Sequence, residues 1–214
     1  MLAVAAFVGL LATERRVQDP LIDMSLFAGA GFVRAIAVGS IAMSCILALL
    51  LFYNLDAQSP TGLSLTPVGA GLSLLPMSCG LLVIAFSAPW LMRRFGPRHA
   101  LTSGMLLIAL AGVVIAIGAA ERMWAPLVVG LFAIGAGLAL PYAAAPRLAL
   151  ATLPPIRAGA GSGIINACTF LAGSIGVAAG AVAFALGGLS AALGLIAVLA
   201  LIGAWLCRGL AASL

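Results

Sequence analysis

Residues 158–207, AGAGSGIINACTFLAGSIGVAAGAVAFALGGLSAALGLIAVLALIGAWLC, run for fifty positions without a charged side chain. One membrane-crossing helix needs roughly 20 apolar residues, so this stretch suits two crossings. Gly187-Gly188-Leu189-Ser190 is the natural place to turn, because glycine accepts backbone conformations that end a helix. Isolated strands could not satisfy their backbone groups in lipid, and no period-2 alternation suggests a barrel. The stretch therefore reads as two helices, 160–183 and 189–207.

Working outward, residues 35–55, 57–92, 100–120 and 123–146 are also free of charge. The first part of 57–92 is a polar Pro/Gly/Ser/Thr loop, so these runs predict helices over 32–53, 68–91, 100–119 and 124–146. The chain of 214 residues is 64% hydrophobic and 7% charged, with a mean hydropathy of +1.29. A soluble domain carries about 25% charged residues, so there is too little polar surface here to cover a globule in water. The fold expected is all-α, a polytopic membrane helix bundle with six full transmembrane helices.

Residues 1–13 are apolar and run into Glu14-Arg15-Arg16. A signal peptide has its positive charges before the apolar core, and 13 residues are too few to span. This segment reads as a truncated transmembrane helix end. Residues 14–31 read as a cytoplasmic connecting segment, and 32–214 as the six-helix unit.

The formal net charge is +5, and all ten basic residues are arginine. With Arg15 and Arg16 cytoplasmic, the helix count places Arg34, Arg93, Arg94, Arg98, Arg147, Arg157 and Arg208 on the same side, leaving Arg122 alone opposite. Nine against one is a strong positive-inside bias. It predicts a multi-pass protein of the cell's inner membrane with a cytoplasmic C-terminus. The arginines sit in short connections between apolar runs, so the partner they imply is the lipid bilayer and not nucleic acid. Trp90 and Trp205 are expected near the inner interface, with Trp124 and Tyr53 near the outer one.

The chemistry-bearing residues are few. Cys45, Cys79, Cys168 and Cys207 lie in apolar stretches without metal-ligand spacing, so neither a metal site nor a cofactor is expected. The glycine cluster at 159–163 follows no strand, which excludes a dinucleotide loop. Ser162 has no intramembrane acid to orient a base, and the single histidine, His99, lies in a loop; no enzyme activity is read. Gly135, Gly137, Gly159, Gly163, Gly173 and Gly176 belong to dense small-residue clusters that let transmembrane backbones approach closely.

Asn166 is the one strongly polar side chain well inside an expected span. It reads either as an interhelical hydrogen bond or as a contact in a substrate cavity. Tyr142 and Phe170 can offer aromatic walls to a lipophilic ligand or pack in the bundle, and Met77 completes the cavity candidates, with core packing as its alternative. All five acids, Glu14, Asp19, Asp23, Asp56 and Glu121, fall in loops or at interfaces. Proton-coupled transporters use membrane-embedded acids as relays, so a coupling group would have to come from elsewhere.

The connection Arg93-Arg94-Phe95-Gly96-Pro97-Arg98-His99 reads either as a positive-inside clamp with a turn or as a gating loop carried by Arg93, Arg94, Gly96 and Arg98. With Leu91 and Met92 it resembles the signature loop between the second and third helices of a major facilitator half, although Arg93 stands where the usual aspartate would be. The run from Pro154 through Arg157 to Asn166 is similar to the segment leading into the fifth helix of the C-terminal half in fourteen-helix drug:proton antiporters. That family usually continues with an Arg-Gln pair, where this chain has Thr169-Phe170. The resemblance covers essentially the whole chain. It implies the C-terminal half of a major facilitator transporter, a proton-coupled exporter of lipophilic small molecules working by alternating access. Its partner would be a missing N-terminal half or a second copy of itself; the remaining alternative is a non-transporting remnant or helper protein.

Overall fold

A computed structural model describes residues 29–210. Among them every regular element is helical: α1 (Ala30–Gln58), α2 (Pro67–Ser73), α3 (Leu75–Ala120), α4 (Trp124–Ala151), a 3-10 turn (Pro155–Arg157) and α5 (Ala158–Cys207). The expected helix end at 1–13 and nearly all of the segment 14–31 lie outside the described residues.

Helix boundaries follow local chemistry. Thr66 caps α2, its hydroxyl accepting from the Gly69 N–H at 3.1 Å, and Pro67 occupies the first turn, where a missing N–H is harmless. α1 runs past the expected end at residue 53 to Gln58, where the Ser59 N–H bonds the Asp56 carbonyl at 3.0 Å ahead of Pro60. α4 likewise continues beyond 146 to Ala151. Helices do not stop at the hydrocarbon boundary, which is what charge-free runs measure; they stop at a cap.

Among the described residues four helical segments are long and apolar enough to cross a membrane, not the six separate helices expected. The difference lies at two glycine breaks. Gly96 adopts φ 77 and ψ 158 inside α3, and Pro97 starts the following limb. Gly187 and Gly188, at φ −153 and 63, break α5 where a turn was expected. Helical hydrogen bonding runs up to each break and resumes after it, so no loop separates the limbs.

Both long helices fold back at these breaks. The Met77 carbonyl lies against Gly135 of α4, while the Gly104 carbonyl is 2.8 Å from where a Cβ on Gly137 would stand. Residues two apart on α4 thus touch both limbs of α3. In a straight helix Met77 and Gly104, 27 residues apart, would stand roughly 40 Å from one another at about 1.5 Å per residue and could not do this. Similarly, Gly176 meets Ser44 while the Cys45 thiol bonds the Ile196 carbonyl at 3.8 Å, so both limbs of α5 flank α1.

The limbs are joined by backbone-to-backbone approach. Gly104 and Gly137 face one another so closely that a Cβ on either would sit 2.7–2.8 Å from the other's carbonyl oxygen. Gly173 packs under Met43 and Leu47, and Gly180 under Phe52, which stacks on Phe184 at 5.3 Å. Between lipid-soluble helices this close van der Waals contact replaces the hydrophobic drive that folds soluble proteins. The core runs through Phe32, Leu49, Leu101, Met105, Ile108 and Leu193, all at most 1% exposed. Trp90, Trp124 and Trp205 are exposed as an interfacial belt requires. Tyr53 is not: it is fully buried, because its hydroxyl bonds Ser73 Oγ at 2.9 Å beneath α2.

Candidate functional site

A groove of about 240 Å³ opens between α1, α4 and the 158–186 limb of α5. Each helix supplies residues one turn apart: Gly39 and Met43 from α1, Tyr142 and Pro146 from α4, Asn166 and Phe170 from α5, with Ile165 and Thr169 beside the last pair. The i, i+4 spacing puts each pair on one helix face.

Gly39 sets the width. A Cβ there would stand 3.6 Å from the Ala145 methyl and 3.8 Å from the Pro146 ring, so α1 and α4 nearly touch at the groove floor. The α5 wall is held by Ser44, whose hydroxyl donates across to the Ala172 carbonyl at 2.7 Å. Thr169 donates its hydroxyl to Ile165 within its own helix at 2.6 Å. Asn166 is exposed and its amide makes no hydrogen bond among the described residues. Tyr142 and Phe170 are 45% and 59% exposed, so their rings wall the groove instead of filling the core. No charged side chain lines it. The site is therefore an apolar, two-aromatic surface with an unspent amide and a phenol, suited to lipophilic ligands oriented by one or two hydrogen bonds.

Three of the four cavity candidates come together here. Met77 does not: it is 5% exposed and packs against Gly135, about two turns before Tyr142 along α4 and outside the groove lining. Beside the groove it is Ser44, not Asn166, that makes an interhelical hydrogen bond. Gly39, Met43, Pro146, Ile165 and Thr169 were missed by sequence reasoning, though each lies a helical turn from a named candidate or from a partner in the groove. Among the glycines, Gly135, Gly137, Gly173 and Gly176 sit at tight helix crossings. Gly159 and Gly163 do not; nothing lies within 4 Å of a Cβ at either, and Gly161 between them is the one that packs, on Leu153.

The arginine connection lies apart from the groove. Arg93 and Arg94 are exposed and Arg98 half-buried, and none lines the groove. The Arg98 carbonyl accepts from Thr102 at 2.8 Å, His99 Nδ1 lies 3.1 Å from the Phe95 carbonyl, and Phe95 packs edge-on to Trp90. Among the described residues no acid pairs with these arginines.

Fold and groove together define an α-helical protein of membrane type with a lipophilic surface site. No protein-family model matches the chain. It is homologous to the Multidrug resistance protein Stp of Mycobacterium tuberculosis, in strains CDC 1551/Oshkosh and ATCC 25618/H37Rv alike, with 32% identity over 172 residues. That match covers 77% of this chain and 30% of each relative's length. The relatives' name is that of a resistance protein and not of an enzyme, in line with the reading from sequence.

Proposed function

We propose that the chain is the C-terminal six-crossing half of a major facilitator exporter of the drug:proton antiporter kind. The limbs 75–95, 97–120, 158–186 and 189–207 each make one crossing, as do α1 and α4. The arginine-rich end is cytoplasmic, in the cell's inner membrane. The groove around Asn166, Tyr142 and Phe170 is this half's share of a substrate cavity, and a second six-helix half, on another chain or in a longer polypeptide, supplies the opposite wall. Alternating access rocks the halves about that cavity, and the 93–98 connection gates its cytoplasmic side.

The observation that carries the proposal is the groove: three candidates chosen from sequence line one concavity that the chain's own helices leave open. Homology to a multidrug resistance protein supports the same reading. Because the groove has no acid, proton coupling is assigned to the other half. The test is export of a fluorescent lipophilic cation from cells expressing the chain with and without a complementary N-terminal half of a related exporter. Export only when both are present is expected. Full export by the chain alone, or none with any partner, would overturn the proposal.

A further inference from the structure

A second concavity, of about 340 Å³, lies between the 97–120 limb of α3 and the 189–207 limb of α5, away from the groove. Its floor is closed where Gly112 approaches the Leu193 carbonyl; a Cβ there would stand 3.4 Å from that oxygen. Toward the arginine-poor end the walls are Ala116 and Ala120 opposite Gly194, which has nothing within 4 Å of a Cβ. The small side chains leave a wedge. Its mouth carries the only two polar side chains in the lining, Glu121 and Ser190. The flanks are lipid-facing: Val113 is 50% exposed and Ile117 54%.

We propose that this cleft holds one acyl chain of a phospholipid whose primary-ammonium headgroup pairs with the Glu121 carboxylate. The polarity runs the right way, with the charged mouth at the helix end and the apolar floor toward the middle of the bilayer. From Glu121 to Gly112 is nine residues, roughly 13 Å at about 1.5 Å per residue. That is close to one leaflet of a hydrocarbon core about 30 Å thick. The carboxylate selects a cation, and a primary ammonium donates hydrogen bonds that a quaternary one cannot. The neighbouring cation is anchored elsewhere, since Arg122 donates to the Thr61 carbonyl at 3.0 Å.

The inference rests on the six-crossing reading, which puts the cleft against lipid. The test is native mass spectrometry of the purified chain equilibrated with phosphatidylethanolamine, phosphatidylcholine or phosphatidylglycerol. Retention of phosphatidylethanolamine should exceed that of phosphatidylcholine by about two- to fivefold, the range of one exposed ion pair. Glu121→Gln should abolish that preference, and Gly194→Leu, which has room to fold, should lower retention of all three lipids. Equal retention, a preference for the anionic lipid, a preference that survives Glu121→Gln, or retention unmoved by Gly194→Leu would each overturn the site. Maleimide labelling of His99→Cys and Glu121→Cys from opposite faces of sealed vesicles separates the two failures. Both on one face sinks the six-crossing reading, whereas opposite faces without lipid preference sinks the lipid site alone.

Discussion

Replacing Gly176 with alanine puts a methyl group 2.5 Å from Ser44 Cβ and 2.9 Å from both Ser44 Cα and Oγ. These atoms are not the free end of a long side chain, so α1 and α5 must separate by about 1 Å to restore a carbon contact near 3.5 Å. Overpacking of this kind costs about 2 kcal/mol. The separation also stretches the bond from Ser44 to the Ala172 carbonyl, now 2.7 Å, at about 0.6 kcal/mol for an interhelical bond in a membrane. Against this stands a helix-propensity gain of about 1 kcal/mol for alanine over glycine. The net expectation is a loss of about 1.5 kcal/mol. Gly163→Ala meets nothing within 4 Å and keeps only the propensity gain, so the two variants should differ by about 2.5 kcal/mol. Unfolding in mixed micelles titrated with sodium dodecyl sulfate, followed by helix content, measures this. A second variant sharpens the test: Ser44→Gly removes two of the three atoms the new methyl strikes, Cβ and Oγ, and leaves Cα, so Ser44→Gly with Gly176→Ala should recover part of the loss that Gly176→Ala alone suffers. Equal stability of Gly176→Ala and Gly163→Ala, or no recovery in the swap, would refute the reasoning.

Gly96→Ala should destabilise by about 1–3 kcal/mol through backbone strain alone, since φ 77 with ψ 158 is a region held almost solely by glycine and no atom lies within 4 Å; Gly96→Asn should lose about as much in the same titration. Arg34 donates to the Gly209 carbonyl at 2.6 Å, so Arg34→Leu should cost about 1 kcal/mol and appear as faster amide exchange over residues 205–210. In the two-half assembly, Asn166→Leu should lower export of hydrogen-bonding substrates by about two- to tenfold, the worth of one hydrogen bond. Met77→Leu should leave export unchanged, because Met77 lies buried against Gly135 away from the groove.

Charge-free runs located the long apolar helical stretches, because lipid penalises charge whatever the tertiary structure, but divided them into six where the described residues form four. Helix ends were less legible. α1 continues through Asp56 to Gln58 and α4 through Arg147 to Ala151, since a charged side chain can reach water from a helix that has already left the hydrocarbon. The bend at Gly96 was placed correctly, but as a loop, because sequence does not reveal that helical bonding resumes at once after a single glycine at positive φ. In the site, Asn166 and Phe170 are one turn apart and could be paired on a helix face from sequence alone. Their meeting with Tyr142 and Gly39 depends on how α1, α4 and α5 cross, which rests on contacts such as Ser44 to Ala172 between residues 128 positions apart. Gly159 and Gly163 show the limit of counting small residues. Their spacing matches that of packing glycines, yet the first turn of α5 presents Gly161 to its neighbours and leaves those two open.

The central claim is that the groove is half of a cavity. Its most direct test is maleimide labelling of Asn166→Cys in a background with Cys45, Cys79, Cys168 and Cys207 replaced by alanine. The chain alone should label readily, and lipophilic substrate should give it little protection. With the complementary half present, the same position should become protected by substrate in a concentration-dependent way. Labelling that neither the second half nor substrate alters would contradict the claim.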